Sequence, residues 1–573
     1  MIKENGKLKN CDVKKLIIAV LIAAIVCISV LAVLFGIDKT FSAYVNVSVP
    51  EGKEVTVYVS GNDVIKSGKG KGYMVTPGST VTVTVVNESK LFKSMSVNGK
   101  TYDTPVTEIT VPVNKDLAIT VETTEPYAED VGKYFGNPFI LSKEADVLSV
   151  ARILAGTSTA SDFERIGAED KTADDIRFGY FRLGTNLFIS SSEFFGLGFR
   201  GNLPFGGCFD FDGFTATINL VRTSHVDEEF TFVNGTHYAD YGFFAYAYGD
   251  GTHPCLMRNI KTQGFIGLNT IKTQGTIDHT DHVNAGGIAA TAGKNIVFDG
   301  LESTVSVSAQ TRFADLYLGG IFGICSSSVE SWCDIRYDGA FNDVSGVTYG
   351  DNAGAIVGGF AGVLQNASVD GITIAGEGSM VLANALGEVS GSAIAGGFVG
   401  LIELGAHTGE EISDSRTMLI RNVTIYAESD YSVTAVIDNN GSANKGAINP
   451  DDYASTSAAA VAGGIAGIVN RGNRDGTALP DDQIIKFSNI SFLRTSAQAE
   501  NAGSSNSSAG GRLGISASTE DGNSSGAVFA GGVVGYIYAS SASHITWQIA
   551  DSSKTTYLFD CPIDVSATQN GVG

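Results

Sequence analysis

The chain has 573 residues, of which 70 are glycine and 43% are apolar. That is rich in glycine against an average near 7%, yet too apolar for a disordered or collagen-like chain, and long enough to require several folding units or one elongated array. The 61 acidic residues outnumber the 38 basic ones, giving a formal charge of -23, which repels a phosphate backbone and argues against a nucleic-acid partner.

Residues 16–37 read LIIAVLIAAIVCISVLAVLFGI, 22 residues without a charge. At ~1.5 Å per residue they match a hydrocarbon core of ~30 Å. Lys3, Lys7, Lys9, Lys14 and Lys15 precede this segment and only Lys39 follows closely. The positive-inside rule then places residues 1–15 in the cytoplasm and everything after Asp38 outside. A cleaved signal peptide is the competing reading, but its apolar core runs only about 7–15 residues, and Phe41-Ser42-Ala43 is a weak cleavage site. The expectation is a single-pass anchor in the cell membrane through residues 16–37, with the bulk of the chain extracellular.

Over residues 41–123 apolar and polar residues alternate in short runs, YVNVSV, VTVYVS, TVTVTVV and LAITVE, broken by Pro77-Gly78 and Asn98-Gly99. These are the strand and turn signals of a small antiparallel β-domain. The stretches GYMVTPGSTVTVTV, FKSMSVNGK and EITVPVNKDLAITVE resemble the internalin-type B-repeat of bacterial surface proteins, a resemblance that implies a spacer or adhesion module without catalysis. Residues 124–134 are polar, contain Pro126, and read as a linker.

Residues 135–220 begin with a short strand and then a helix, FGNPFILSKEADVLSVARILAG. Ser142 suits its cap, Glu144 and Asp146 suit the positive end of its dipole, Val147, Ala151 and Leu154 share a face, and Gly156 ends it. It is the one soluble helix that the pattern supports. YFRLGTNLFI and NLPFGGCFDFDGFTATINL follow, and then a hexapeptide recurs through residues 221–573. LGGIFG ends at Gly323, VGGFAG at Gly362, AGGFVG at Gly400, AGGIAG at Gly467 and AGGVVG at Gly535, with a worn copy, AGGIAA, ending at Ala290. The leading glycine pairs are Gly286-Gly287, Gly319-Gly320, Gly358-Gly359, Gly396-Gly397, Gly463-Gly464 and Gly531-Gly532, spaced by 33, 39, 38, 67 and 68 residues.

This grammar suits a parallel solenoid, with strands of successive coils stacked at about 4.8 Å and alternate apolar residues facing a narrow core. The glycines would supply sharp turns or positive φ, and Phe398 with its counterparts Ile321, Phe360, Ile465 and Val533 the inward plug. Asparagines preceding a strand, Asn295, Asn366, Asn422 and Asn489, are expected at coil corners. At about 20–29 residues per turn, the 353 residues after Leu220 would give roughly 12–17 coils and a rod of ~60–80 Å. The inserts 405–415, 439–457 and 501–525, rich in Gly, Ser, Asn and Asp, read as loops on one flank, where binding resides most naturally.

The strand-helix unit N-P-F-I-L-S, the Y-F-R-L strand, the P-F-x-G-x-F-D segment and the G-G-[IFV]-x-G repeats closely resemble bacterial surface proteins that carry GLUG motifs. The family includes adhesins and the β-region of immunoglobulin A peptidases. The resemblance implies a right-handed parallel β-helix, its cap in residues 135–220, and a role at the cell surface. The usual F-D-G of that family stands here as Phe209-Asp210-Phe211-Asp212-Gly213, which predicts a bulged turn.

Chemistry is sparse. No glycine copy leads into the Lys-Ser/Thr of a phosphate loop, and no histidine is followed by the Glu of an H-E-x-x-H zinc site. Asp278-His279-Thr280-Asp281-His282 is the densest His/Asp cluster, making His279, Asp281 and His282 weak metal candidates. Asp210 and Asp212, on one strand face, are the nearest approach to the paired carboxylates of a carbohydrate-active β-helix. Cys208, Cys255, Cys325, Cys333 and Cys561 lack paired spacing; Cys325 and Cys333 are close enough in sequence to bridge a short loop, but buried thiols fit better. No catalytic residue and no cofactor are expected, calcium being the cation that this acidity suits. The expected role is a non-catalytic surface adhesin or display protein for glycans or for proteins of a host or neighbouring cell, the alternatives being a carbohydrate-active β-helix lyase or hydrolase, or the amino-terminal part of a larger surface protein or peptidase.

Overall fold

A computed structural model of the chain describes residues 43–568 apart from 50–54, 62–63, 67–71, 104–106, 126–129, 223–230, 234–235, 270–280, 313, 338–343, 350–352, 377–379, 387–390, 406–416, 428–430, 438–458, 472–483, 494–512, 520–526, 540–543 and 548–562. The expected anchor, 16–37, lies outside the described residues, among which no helix is long and apolar enough to cross a membrane. The described chain is mainly β, with long parallel sheets.

The alternating valines of the first segment build two sheets. Ser79–Asn87 runs antiparallel between Val55–Ser60 and Glu108–Val113. In the second sheet Ala43–Ser48 runs parallel to Leu117–Thr124, with Val45 opposite Leu117. This domain is therefore mixed rather than purely antiparallel, because its first and last strands are neighbours that no hairpin joins. Val45, Val81, Val83, Met95 and Ile119 form its own core.

The predicted helix spans Glu144–Ala155 and is closed by Gly156 at φ 74°. Its start is satisfied differently from the expectation. The Asp146 carboxylate accepts the backbone N–H groups of Ser142 and Lys143, each at 2.9 Å, while Lys143 takes the cap position. Val147, Val150, Ile153 and Leu154 seal the end of the solenoid core. Two further short helices, Ala160–Arg165 and Ala173–Arg177, belong to the same cap. They are too short to show periodicity and are announced only by capping boxes at Thr159 and Thr172.

The later coils contain four strands, as in Val369–Gly376, Met380–Ala385, Ala393–Gly396 and Val399–Leu404, and in two earlier coils the first two are one continuous strand, Leu256–Asn269 and Val297–Thr311. The first two join one large sheet of two ladders, and the other two join separate sheets of eight and seven strands. Apart from Thr231–Val233, which pairs antiparallel with Thr236–Tyr241, the strands pair in parallel with their counterparts in the next coil: Ile372 opposite Val423, Val381 opposite Val433, Gly396 opposite Gly463, Val399 opposite Ala466. One glycine hexapeptide therefore marks one coil whatever its spacing, and the seven-stranded sheet counts seven described coils. That corrects the expected 12–17, and stacks about 34 Å of solenoid at ~4.8 Å per coil. The spacings of 67 and 68 residues are single coils carrying inserts, not two coils each.

The inserts leave from different corners rather than one flank. Residues 406–416 separate Val399–Leu404 from Thr417–Ala427, whereas 438–458 separate Tyr431–Ile437 from Ala459–Gly463. The insert 501–525 is not all loop, since Leu513–Thr519 within it is a strand paired with Tyr431–Ile437.

The repeated glycines act through close contact, not through positive φ. None of Gly396, Gly397 and Gly400 stands in the left-handed region. A Cβ would lie 1.8 Å from the Val399 carbonyl oxygen at Gly396, 2.2 Å from the Gly464 oxygen of the next coil at Gly397, and 2.8 Å from the Gly362 oxygen of the preceding coil at Gly400. Between the glycines Phe398 points inward, fully buried and stacked on Phe360 at 5.0 Å. Its N–H donates to the Ile465 carbonyl at 3.0 Å, so the corner stays hydrogen-bonded from coil to coil.

So tight a corner turns the outer faces of its two strands toward each other. Ile356, Ile394 and Val461 pack with Val363, Leu401 and Ile468 into a second apolar spine outside the main core. Both faces of these strands are buried, which accounts for runs such as AIAG that carry no alternation.

The left-handed positions belong to asparagine. Asn422 and Asn489 have φ of 53° and 54° at the bend of the long strand, and the Asn489 amide donates to Asn422. Asn295 and Asn366 have φ of 60° and 51° but occupy a different corner, where Asn366 and Gly405 exchange bonds of 2.8 and 3.0 Å. The asparagines predicted as one class form two.

Substituting Gly396→Ala is expected to cost about 3 kcal/mol or to prevent folding, because backbone must move. Gly78→Ala meets open space but keeps φ at +96°, and is expected to cost only about 1 kcal/mol. Chemical denaturation of the two variants checks the ordering.

Candidate functional site

The residues that suggested chemistry serve structure. Asp210 ends the strand Cys208–Asp210, while Asp212 sits in the following turn at φ 49°. The two do not share a strand face. The Asp210 carboxylate accepts the Asp212 N–H at 2.8 Å and the Asn259 amide at 3.0 Å. Asp281 is buried, and the His282 ring lies between Tyr238 and Tyr317 at 5.2 and 5.1 Å; His279 lies outside the described residues. Among the described residues no group of three metal-ligating side chains converges. Cys208, Cys255, Cys325 and Cys333 are free and buried, so Cys325 and Cys333 form no bridge.

The β-domain docks sideways on the solenoid, and the contact is polar at its centre. In the large sheet Arg258 stands opposite Asp299. Arg258 Nη2 reaches Glu88 Oε1 at 2.9 Å and the Tyr58 hydroxyl, and Tyr58 donates to Asp299 at 3.1 Å. Phe135 lies 4.9 Å from the guanidinium, and its N–H donates to the Asn87 carbonyl at 2.8 Å. Val86, Phe135, Tyr180, Cys208, Leu256 and Val297 close around this point. Four coils further on, Arg421 donates to the Val64 carbonyl at 2.9 Å. The far end of the expected linker is thus packed, with Asp130 and Tyr134 buried, and the β-domain lies along the solenoid instead of ahead of it.

Where the docked domain meets the cap it leaves a cleft of about 880 Å³, within the range of ~300–1,000 Å³ usual for small-molecule sites at domain junctions. Asn87 and Thr107 come from the β-domain, Lys133 from the connecting segment, Lys171 and Arg177 from the cap, and His253 from the loop before the first long strand. His253 Nδ1 lies 2.8 Å from Asp250 Oδ2, and its ring stacks on Phe178 at 4.1 Å. Burial opposes ionisation of Asp250, yet bonds from His253 and Thr252 hold its carboxyl down at about 2. No sequence period points to this cleft. The capping box Thr172 to Asp175 marks its helix, but His253 and Thr107 reach it only through tertiary contact.

Glu108 borders the seam. Thr107 donates its N–H and its hydroxyl to the Thr252 carbonyl at 3.2 and 2.7 Å, and Glu108 beside it is buried, held by the Thr84 hydroxyl at 2.8 Å. Burial, aided by the Asp250 charge, pushes its carboxyl from an ordinary 4.5 up to about 7. A carboxyl raised on folding favours the folded state fully below the unfolded value and loses that contribution as pH rises through the folded one, here about 3 kcal/mol. Stability is expected to fall between pH 4.5 and about 7, and Glu108→Gln to flatten that decline in denaturation measured across pH. Arg258→Ala, which strands Glu88 and Asp299, is expected to cost about 2 kcal/mol or more, read as faster proteolytic release of the β-domain. No protein-family model, curated protein or solved structure matches the chain.

Proposed function

We propose that this chain is a bacterial cell-surface adhesin or display protein. Residues 16–37 anchor it with the amino terminus cytoplasmic, and a right-handed, GLUG-type solenoid braced by the B-repeat-like domain stands outside. It binds glycans or surface proteins of a host or neighbouring cell and performs no catalysis of its own.

The observation that carries this reading is the constancy of register against coil length. Coils grow from 38 to 67 residues while Gly358, Gly396 and Gly463 remain directly opposite one another. A scaffold that absorbs long polar inserts without shifting a strand is suited to presenting them.

The full chain in detergent is expected to be retained on one or more of a panel of polysaccharides and mucins, and to release no soluble sugar from them. Release of sugar overturns the non-catalytic reading, and a chelator arm reads any need for calcium. Membranes from expressing cells are expected to keep the full chain through carbonate extraction and to lose a chain deleted for 16–37; extraction of the full chain overturns the anchor.

A further inference from the structure

We infer that the cleft between the β-domain and the cap is a binding site for a carboxylated saccharide, with Arg177 as the group that takes the carboxylate. Choosing a saccharide rests on the glycan reading above; recognition of a carboxylate rests on the cleft itself.

Arg177 is half-buried and differs from the other arginines packed into the fold; the buried Arg222 also lacks a carboxylate, but both of its terminal nitrogens are taken by the Ser192 and Phe194 carbonyls. Arg152, Arg200, Arg258 and Arg421 each hold a carboxylate of the protein, at 2.5, 2.8, 2.9 and 2.8 Å. Arg177 closes the helix Ala173–Arg177, and its side chain has one hydrogen bond among the described residues, from Nε to the Pro204 carbonyl at 3.1 Å. Its guanidinium lies 4.6 Å from the Phe178 ring centre. Phe178 in turn stacks on His253, which Asp250 holds. The planar group is thus fixed along one edge and one face, and its two terminal nitrogens have no acceptor among the described residues.

The carboxylates nearby are committed or turned aside. Asp175 accepts the N–H and the hydroxyl of Thr172 at 2.8 and 2.7 Å. Asp250 takes the backbone N–H groups of Thr252 and His253, both at 2.8 Å, besides the imidazole. Asp174 lines the cleft but makes no ion pair with Arg177. Lys133 and Lys171 line it as well, each paired with an aspartate at 2.7 and 2.9 Å, and both add positive potential. A pre-oriented guanidinium fork matches a carboxylate in two-point geometry, which an ammonium cannot copy. Around it the aromatic Phe139 and Phe178 and the polar Asn87 and Thr107 suit the mixed apolar and hydroxylated faces of a sugar ring.

The test is calorimetric titration of the full chain in detergent with glucuronate and galacturonate, with glucose and galactose as uncharged counterparts, and with trialanine as a carboxylate that carries no sugar. The uronates are expected to bind, and the neutral hexoses about tenfold more weakly or less. Arg177→Ala is expected to abolish uronate binding, and Arg177→Lys to recover only part of it, with thermal midpoints confirming that both variants fold. Lys171→Ala, which leaves the fork intact, is expected to weaken binding about two- to fivefold. Equal binding of neutral hexoses, undiminished uronate binding by a folded Arg177→Ala, or tighter binding of trialanine each overturns the inference. Uronate binding without retention on any polysaccharide would leave the cleft assignment standing and remove the adhesin reading, and retention without uronate binding would do the reverse.

Discussion

The structure depends on one contact, backbone against backbone at the glycine corner. Gly397 leaves no room for a Cβ beside the Gly464 carbonyl of the next coil, and Gly400 none beside the Gly362 carbonyl of the preceding one. Because the turn is so tight, two sheets press their outer faces together and bury a second spine from Ile356 to Ile468. Each buried aliphatic side chain of this kind contributes about 1.5–3 kcal/mol, so the corner gains stability from both of its sides. Side chains at the glycine positions would open it and expose both cores.

That corner also fixes register, and register arranges the charges. Once each coil lies directly on the last, Arg258 must stand beside Asp299 and Arg421 beside Asp370. The β-domain uses these two charge pairs as its dock, adding Glu88, Tyr58 and the Val64 carbonyl. Pairs this well shielded are costly to break and give little net stability when intact; their effect here is to set where the domain sits. The cleft beside the cap is the space that this placement leaves, and Glu108 and Arg177 line its seam and its wall.

Several features were legible in the sequence for physical reasons. The hexapeptide marks every described coil from Gly286 onward, Phe398 and Ile465 fill the core as plugs, and Gly156 ends the cap helix, because each is a local steric demand. Coil number was not legible, since spacing counts residues and cannot separate a second coil from an insert. Of the two roles open to the glycines, the sharp turn holds and positive φ does not; sequence could not separate them, because crowding from another coil and positive φ select the same residue. Asn422 and Asn366 looked equivalent, but only their strand partners reveal that they turn different corners.

The sequence by itself determined the repeat, its inward positions and its apolar amino-terminal segment, all of which follow from residue type within a few neighbours. Only the tertiary structure decided the coil count, the docking of the β-domain and the cleft. Their contacts join residues as far apart as Val64 and Arg421, 357 positions along the chain, or Tyr58 and Arg258, 200 apart. No local pattern encodes such pairs; they arise where stacked coils bring distant side chains to one face.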